Sequence, residues 1–189
     1  MIPSTISLSL MLNRFKIVVF ISFIISSCHS QHDKNKKVIR EWQGREIITP
    51  QKIEYKVFGK DALCPKLLDK PFKILTYVDS IGCSSCKMGL QQWKQLIDSC
   101  KIQHIDVSFL FIVHSSNFRY FTQELLIEDF DYPVIYDYEN LFDKLNAFPK
   151  DPLFHTFLLN KENKVLLIGS PINNPNMWQL YKKTMVQSE

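Results

Sequence analysis

The sequence predicts an α/β fold, a central mixed β-sheet flanked by helices. Three observations carry this. Two runs, Phe72–Val78 and Ile105–Val113, are apolar and β-rich almost throughout, as strands covered on both faces are. Segments with 3.6-residue periodicity alternate with them, which calls for parallel strands joined by crossovers. Near the C-terminus two apolar runs flank the polar stretch Asn160–Lys164, the pattern of an antiparallel hairpin.

The N-terminus is set aside before the fold is read. Arg14 and Lys16 precede Ile17–Ile25, a nine-residue apolar run too short to span a bilayer as a helix. It ends in Ile25-Ser26-Ser27-Cys28. That pattern resembles a bacterial lipobox, with Cys28 lipidated and first in the mature chain; an ordinary secretory signal with an incidental Cys is the alternative. The expected organisation is a signal peptide over 1–27, a lipidated Cys and flexible tether over 28–45, and one domain over 46–189. Removing 27 of 189 residues leaves 162, enough for one full core. Two basic residues go with the signal, so 21 basic face 19 acidic residues and the net charge falls from +4 to +2. No clustered basic face with interleaved aromatics is visible, which argues against nucleic acid as a partner.

Taken in order, His29–Lys37 is polar and reads as tether, its two histidines lacking a third ligand at a fixed spacing. Val38–Arg45 is a short extended or helical lead-in with Trp42 as its anchor. Glu46–Ile48 is a short strand stopped by Pro50. Lys52–Phe58 alternates, with Ile53, Tyr55 and Val57 on one side, as a half-buried strand does. Gly59-Lys60-Asp61 turns the chain. After the strand Phe72–Val78, Ser84–Ser99 has a helical apolar face of Met88, Leu90, Trp93, Leu96 and Ile97. Ile105–Val113 is a central strand, Asn117–Phe130 an amphipathic helix, Tyr132–Tyr136 a short strand and Glu139–Phe148 a short helix. His155–Leu159 and Val165–Ile168 form the hairpin, and Asn176–Gln187 is a closing helix.

Chemistry concentrates at Cys83-Ser84-Ser85-Cys86, between a strand and a helix. Unpaired N–H groups and the positive macrodipole end at a helix start stabilise a thiolate. Cys83 is therefore the expected attacking sulfur, Cys86 the resolving one, and Lys87 adds a positive charge nearby. No cofactor is needed. Cys64 and Cys100 remain as a structural disulfide, two buried thiols, or an extra resolving thiol at Cys64; spacing does not choose among them. A zinc site would want a second Cys/His pair at compact spacing, and Cys64, Cys100, His104, His114 and His155 are scattered singly, so no metal is expected. No Pro-x-x-x-Thr-x-x-Cys arrangement argues for a peroxidase.

The element order, the Cys-x-x-Cys segment IGCSSCK at 81–87 and the segment HTFLLNKENKVLLIG at 155–169 resemble the thioredoxin fold. With the lipobox and an N-terminal strand extension, the chain looks like the periplasmic TlpA/ResA-like thiol-disulfide oxidoreductases, common among envelope lipoproteins of Bacteroidota. The resemblance covers roughly residues 46–187. It implies a membrane-tethered oxidoreductase, a reductase by preference, acting on protein disulfides in the cell envelope and served by an upstream electron donor or acceptor. It implies a periplasm-facing location; His29 after Cys28 is not an acidic retention signal, which leans to the outer membrane. Gly82 stands where the family has Trp, and Tyr77 where thioredoxins have a buried Asp. Asp79 is then the nearest carboxylate, a candidate proton acceptor for Cys86 or a solvated loop residue. The family's cis-proline position falls on Phe154, so that proline is either displaced to Pro152 or absent. The alternatives to the enzyme are a copper or zinc carrier on the same fold and a redox-inert binding lipoprotein.

Overall fold

The computed structural model describes residues 33–79 and 88–187. They divide into two compact units, one ending at Glu41 and the other beginning at Trp42. Residues 33–42 are helical, so the helix begins inside the stretch expected to be tether. No Gly or Pro interrupts these residues, Lys, Arg and Glu are good helix formers, and Lys37 and Glu41 pair at i,i+4 (3.8 Å).

In the second unit seven strands form one mixed sheet among the described residues. They are β1 (Tyr55–Val57), β2 (Lys60–Asp61), β3 (Phe72–Val78), β4 (Val107–Val113), β5 (Val134–Tyr136), β6 (Thr156–Leu159) and β7 (Val165–Ile168), in the spatial order β2-β1-β5-β4-β3-β6-β7. β3 and β4 pair in parallel over seven residues, Phe72 against Val107 through Val78 against Val113. β5 continues the parallel set beside β4, while on the other side of β3 β6 runs antiparallel to it and β7 antiparallel to β6. The β1–β2 hairpin is the N-terminal extension and pairs with β5. β1 is shorter than the alternation of residues 52–58 predicts, because β5 offers only three residues to pair with. Its turn needs glycine: Gly59 has φ +75, and a Cβ there would lie 2.7 Å from Thr122 Cγ2.

Helices α1 (Leu90–Ile102), α2 (Phe118–Ile127), α3 (Leu141–Asn146) and α4 (Pro175–Gln187) accompany the sheet. Alternation along the strands divides the core in two. On one face Phe109, Phe111 and Val113 of β4 and Ile74 of β3 join Trp93, Ile97 and Cys100 of α1, Phe121 and Leu125 of α2, and Tyr181 and Met185 of α4. Trp93 meets the Phe109 and Phe111 rings edge-on at 6.0 and 5.3 Å, geometry that aromatic pairs favour. The other face is aromatic. Trp42, the expected anchor, stacks on Phe148 (5.7 Å) and lies 5.1 Å from Phe157.

Two buried polar side chains tie loops to this frame. Lys73, 0% exposed in β3, donates from Nζ to the carbonyls of Lys161 (2.9 Å), Leu68 (3.3 Å) and Lys70 (3.4 Å), and burial lowers its pKa. Asn146, also 0% exposed, pairs both its amide atoms with one backbone residue: Nδ2 donates to the Ile48 carbonyl and the Ile48 N–H donates to Oδ1, each at 2.8 Å. The preceding residues cover the outer edge of β7. Gly44 N–H donates to Val165 O, Val165 N–H to Arg45 O, and Ile47 N–H to Asn163 O, at 2.8 to 2.9 Å. A bridge between Glu46 and Lys164 completes this cover, so the predicted strand at Glu46–Ile48 is present as a single bridge.

Phe111→Ala is expected to cost about 3–5 kcal/mol in urea unfolding, the range for an aromatic deleted from a filled core. Asn146→Ala leaves the Ile48 N–H and C=O without partners and is expected to cost about 2–4 kcal/mol, measured the same way.

Candidate functional site

In open α/β sheets ligands and chemistry gather at the carboxyl ends of the parallel strands, where loops leave the sheet. In this chain the apolar runs of β3, β4 and β5 are each followed by a polar residue: Asp79, His114 and Asp137. Backbone bonds hold the three strand ends level, with His114 N–H donating to Val78 O and Asp137 N–H to Val113 O, both at 2.9 Å. β6 enters the same edge antiparallel, with His155 as its leading residue and the His155 carbonyl accepting from Tyr77 N–H (2.9 Å).

His114 Nδ1 lies 2.9 Å from the Asp137 carbonyl. A carbonyl only accepts, so Nδ1 donates to it. Asp137 is buried, and its carboxylate accepts from the N–H groups of Leu141 (2.7 Å) and Phe142 (2.9 Å) at the start of α3. Tyr77 fills the position expected of a buried carboxylate. It is 3% exposed, its ring stacks on Phe148 at 4.5 Å and lies 5.3 Å from His155, and its hydroxyl donates to Asn140 Oδ1 at 2.8 Å. Burial pushes its pKa up, and the charges of Asp143 and Asp79 push the same way, so it stays a neutral phenol. His155 Nε2 is 2.6 Å from the Pro149 carbonyl and donates to it.

Of the residues singled out in the sequence, Cys83, Cys86, Lys87 and Cys28 lie outside the described residues. Asp79 directly follows the last residue of β3. Pro152 opens a 3-10 turn, Pro152–Phe154, that leads into β6 and is capped by Asp151. Every peptide bond among the described residues is trans, so the cis-proline displaced to Pro152 is not found. Phe154 is buried, and Leu153 between them is 70% exposed. Asn140, Asp137 and His155 were missed as parts of this edge. The first polar residue after each apolar run was the available signal for Asp137; the Asn140 contact to Tyr77 spans 63 residues and had none.

The two remaining cysteines are free. Cys64 precedes the 3-10 turn Pro65–Leu67 that leads into β3, and the carbonyl of Cys100 accepts from Ile105 as the chain enters β4. Both therefore sit toward the amino ends of the parallel strands, about 20 Å of strand from the carboxyl edge. The length of β3 therefore lies between Cys64 and the strand end at Asp79. Burial raises the thiol pKa of Cys64 and pushes that of Cys100 up to about 11. No group of three or more His, Cys, Asp or Glu among the described residues is arranged to hold a metal ion.

No family model matches the chain. No curated protein matches it. Its structure is similar to solved ones. A protein assigned as the thiol:disulfide interchange protein DsbE of Chlorobium tepidum superposes with a TM-score of 0.56 at 14% identity, covering 76% of this chain and 97% of that one. A protein assigned as a thiol-disulfide oxidoreductase of Bacteroides vulgatus gives 0.55 at 13%, covering 74% and 91%. Peroxidoxin BcpB of Mycobacterium tuberculosis gives 0.54 at 15%, covering 78% and 97%. The fold is thioredoxin-like.

Cys100 ionises at an ordinary 9.0 when unfolded but holds its proton to about 11 when folded. Its contribution to stability is intact below pH 9 and lost as pH rises from 9 to about 11, by about 2–3 kcal/mol in all. Cys100→Ala is expected to flatten that part of the alkaline loss in pH-dependent urea unfolding, and iodoacetamide at pH near 7 should leave Cys100 unlabelled until the protein is denatured.

Proposed function

We propose that the protein is a membrane-tethered thiol-disulfide oxidoreductase that acts on protein disulfides in the cell envelope through Cys83 and Cys86. The observation that carries this reading is the connection of β3 to α1. β3, paired on both sides within the sheet, ends at Val78, and helical structure resumes at Met88. The sequence between them holds Cys-x-x-Cys, with Cys83 four residues after Asp79 and Cys86 two before Met88. The thioredoxin-like fold agrees with it, though a fold shared with a peroxidoxin does not by itself choose the chemistry.

In the reducing direction the Cys83 thiolate attacks one sulfur of a substrate disulfide. A Cys83–substrate disulfide forms and the other substrate sulfur leaves as a thiolate. Cys86, deprotonated, then attacks the Cys83 sulfur, closing Cys83–Cys86 and releasing the second substrate thiol. Two electrons have passed to the substrate, and an upstream dithiol donor restores the pair. Asp79 receives the Cys86 proton, and Lys87 adds positive charge beside the thiolate. The turn holding Pro152 and Phe154 borders the substrate approach. The chemistry uses thiols alone and needs no cofactor. Cys28 carries the lipid, residues 1–27 are its signal, 28–45 link it to the domain at 46–189, and the site faces the periplasm, from the outer membrane.

The test is a glutathione redox titration of the chain without residues 1–28, read by alkylation and mass spectrometry. A reversible Cys83–Cys86 couple is expected, with Cys83 alkylating well below the pH at which an ordinary thiol ionises. Cys83→Ser should abolish reduction of a model disulfide. Thiols that never pair, or that purify bound to metal, overturn the assignment.

A further inference from the structure

We infer that the helix of residues 33–41 is a second, electrostatic membrane contact, its basic side lying against an anionic lipid surface. The helix is two-sided. Asn35 and Val38 are half-buried, and Trp42 is buried at the next turn of the same stripe. At 100° per residue Lys36, Arg40, Lys37 and Lys34 fall on the other side, within an arc of about 160°. All four are exposed. Asp33 and Glu41 share that arc, and Glu41 is held by Lys37, so the exposed face keeps a net charge of two positive. Four basic residues in one short amphipathic helix reach the lower bound at which such clusters recruit anionic headgroups.

Position selects the partner. The inference rests on the reading of Cys28 as the lipid-bearing residue. Four residues lie between Cys28 and Asp33, five Cα-to-Cα steps with a reach of at most about 18 Å. The helix is thus confined near the headgroups, within about two screening lengths at physiological salt. An acidic protein would match the same charges, but nothing in the sequence holds one close by, whereas the anchor keeps the bilayer there permanently.

The chain from His29 to Glu189, which keeps every described residue and carries no lipid, is co-sedimented with phosphatidylcholine vesicles with and without phosphatidylglycerol. Binding is expected to the anionic vesicles alone and to vanish in high salt. Changing Lys34, Lys36, Lys37 and Arg40 together to Gln, itself a good helix former, should cut it at least about tenfold with unfolding unchanged. Equal binding to neutral vesicles, wild-type binding by the four-residue variant, or capture by polyglutamate without vesicle binding each overturns the proposal. Mass spectrometry of the full chain extracted from membranes separates it from the anchor reading. Unacylated Cys28 with vesicle binding intact removes the anchor and leaves the electrostatic contact standing. Acylated Cys28 without anionic preference removes the contact alone.

Discussion

The double pairing of β3 is the constraint on which the rest of the structure depends. β4 lies parallel on one side in unbroken register, and β6 lies antiparallel on the other. Parallel pairing makes the carboxyl ends of β3, β4 and β5 coincide, and antiparallel pairing brings the start of β6 to the same edge. Four chain segments remote in sequence thereby meet without any of them being individually shaped for the purpose. A one-residue slip of β3 would exchange its two core faces, setting Leu75 and Tyr77 against α1 and Ile74 against Trp42 and Phe148.

At that edge the polar groups are committed to holding positions. Asp137 spends both carboxylate oxygens on the start of α3, and its carbonyl accepts from His114 Nδ1. Tyr77 gives its proton to Asn140 and its ring to Phe148. A buried carboxylate at that position would add charge to a neighbourhood that already senses Asp143, Asp79 and Asp137; a phenol adds none. A phenol therefore leaves the edge without a further buried charge.

What was legible in the sequence follows from the range of each signal. Phe72–Val78 was read with its final bounds, because a doubly covered strand is apolar at most positions and the chain breaks on both sides of it. Asn117 was found as the start of α2, where its side chain accepts from Tyr120 N–H. The first strand was overestimated because alternation reports a half-buried surface and not how long the neighbouring strand is. Lys73 reads as an ordinary surface lysine, and its burial depends on three carbonyls supplied by two other loops. The first half of the helix of residues 33–42 was read as tether, where polar composition outweighed propensity, while its second half fell in the lead-in at Val38–Arg45 read as extended or helical. For the candidate site, the two cysteines and their strand-to-helix setting were visible as a motif, whereas the ring and hydroxyl contacts around Tyr77 join residues too distant in sequence to leave a local pattern.

The cover over β7 has a mechanical consequence. Were the chain tethered by its N-terminus as proposed, a pull on the tether would enter the domain at Trp42. From there the load passes to the Trp42–Phe148 stack, to the bonds that Gly44, Arg45 and Ile47 share with Val165 and Asn163, and to the amide pair between Ile48 and Asn146. These contacts lie in series ahead of β1, so peeling the leading segment would have to break them one after another before tension reached the hairpin at the far border of the sheet. Because Phe148 also stacks on Tyr77, load taken up by the Trp42–Phe148 stack would reach the carboxyl edge of β3 through aromatic contacts, which links the leading segment mechanically to the edge where the chemistry is proposed to occur.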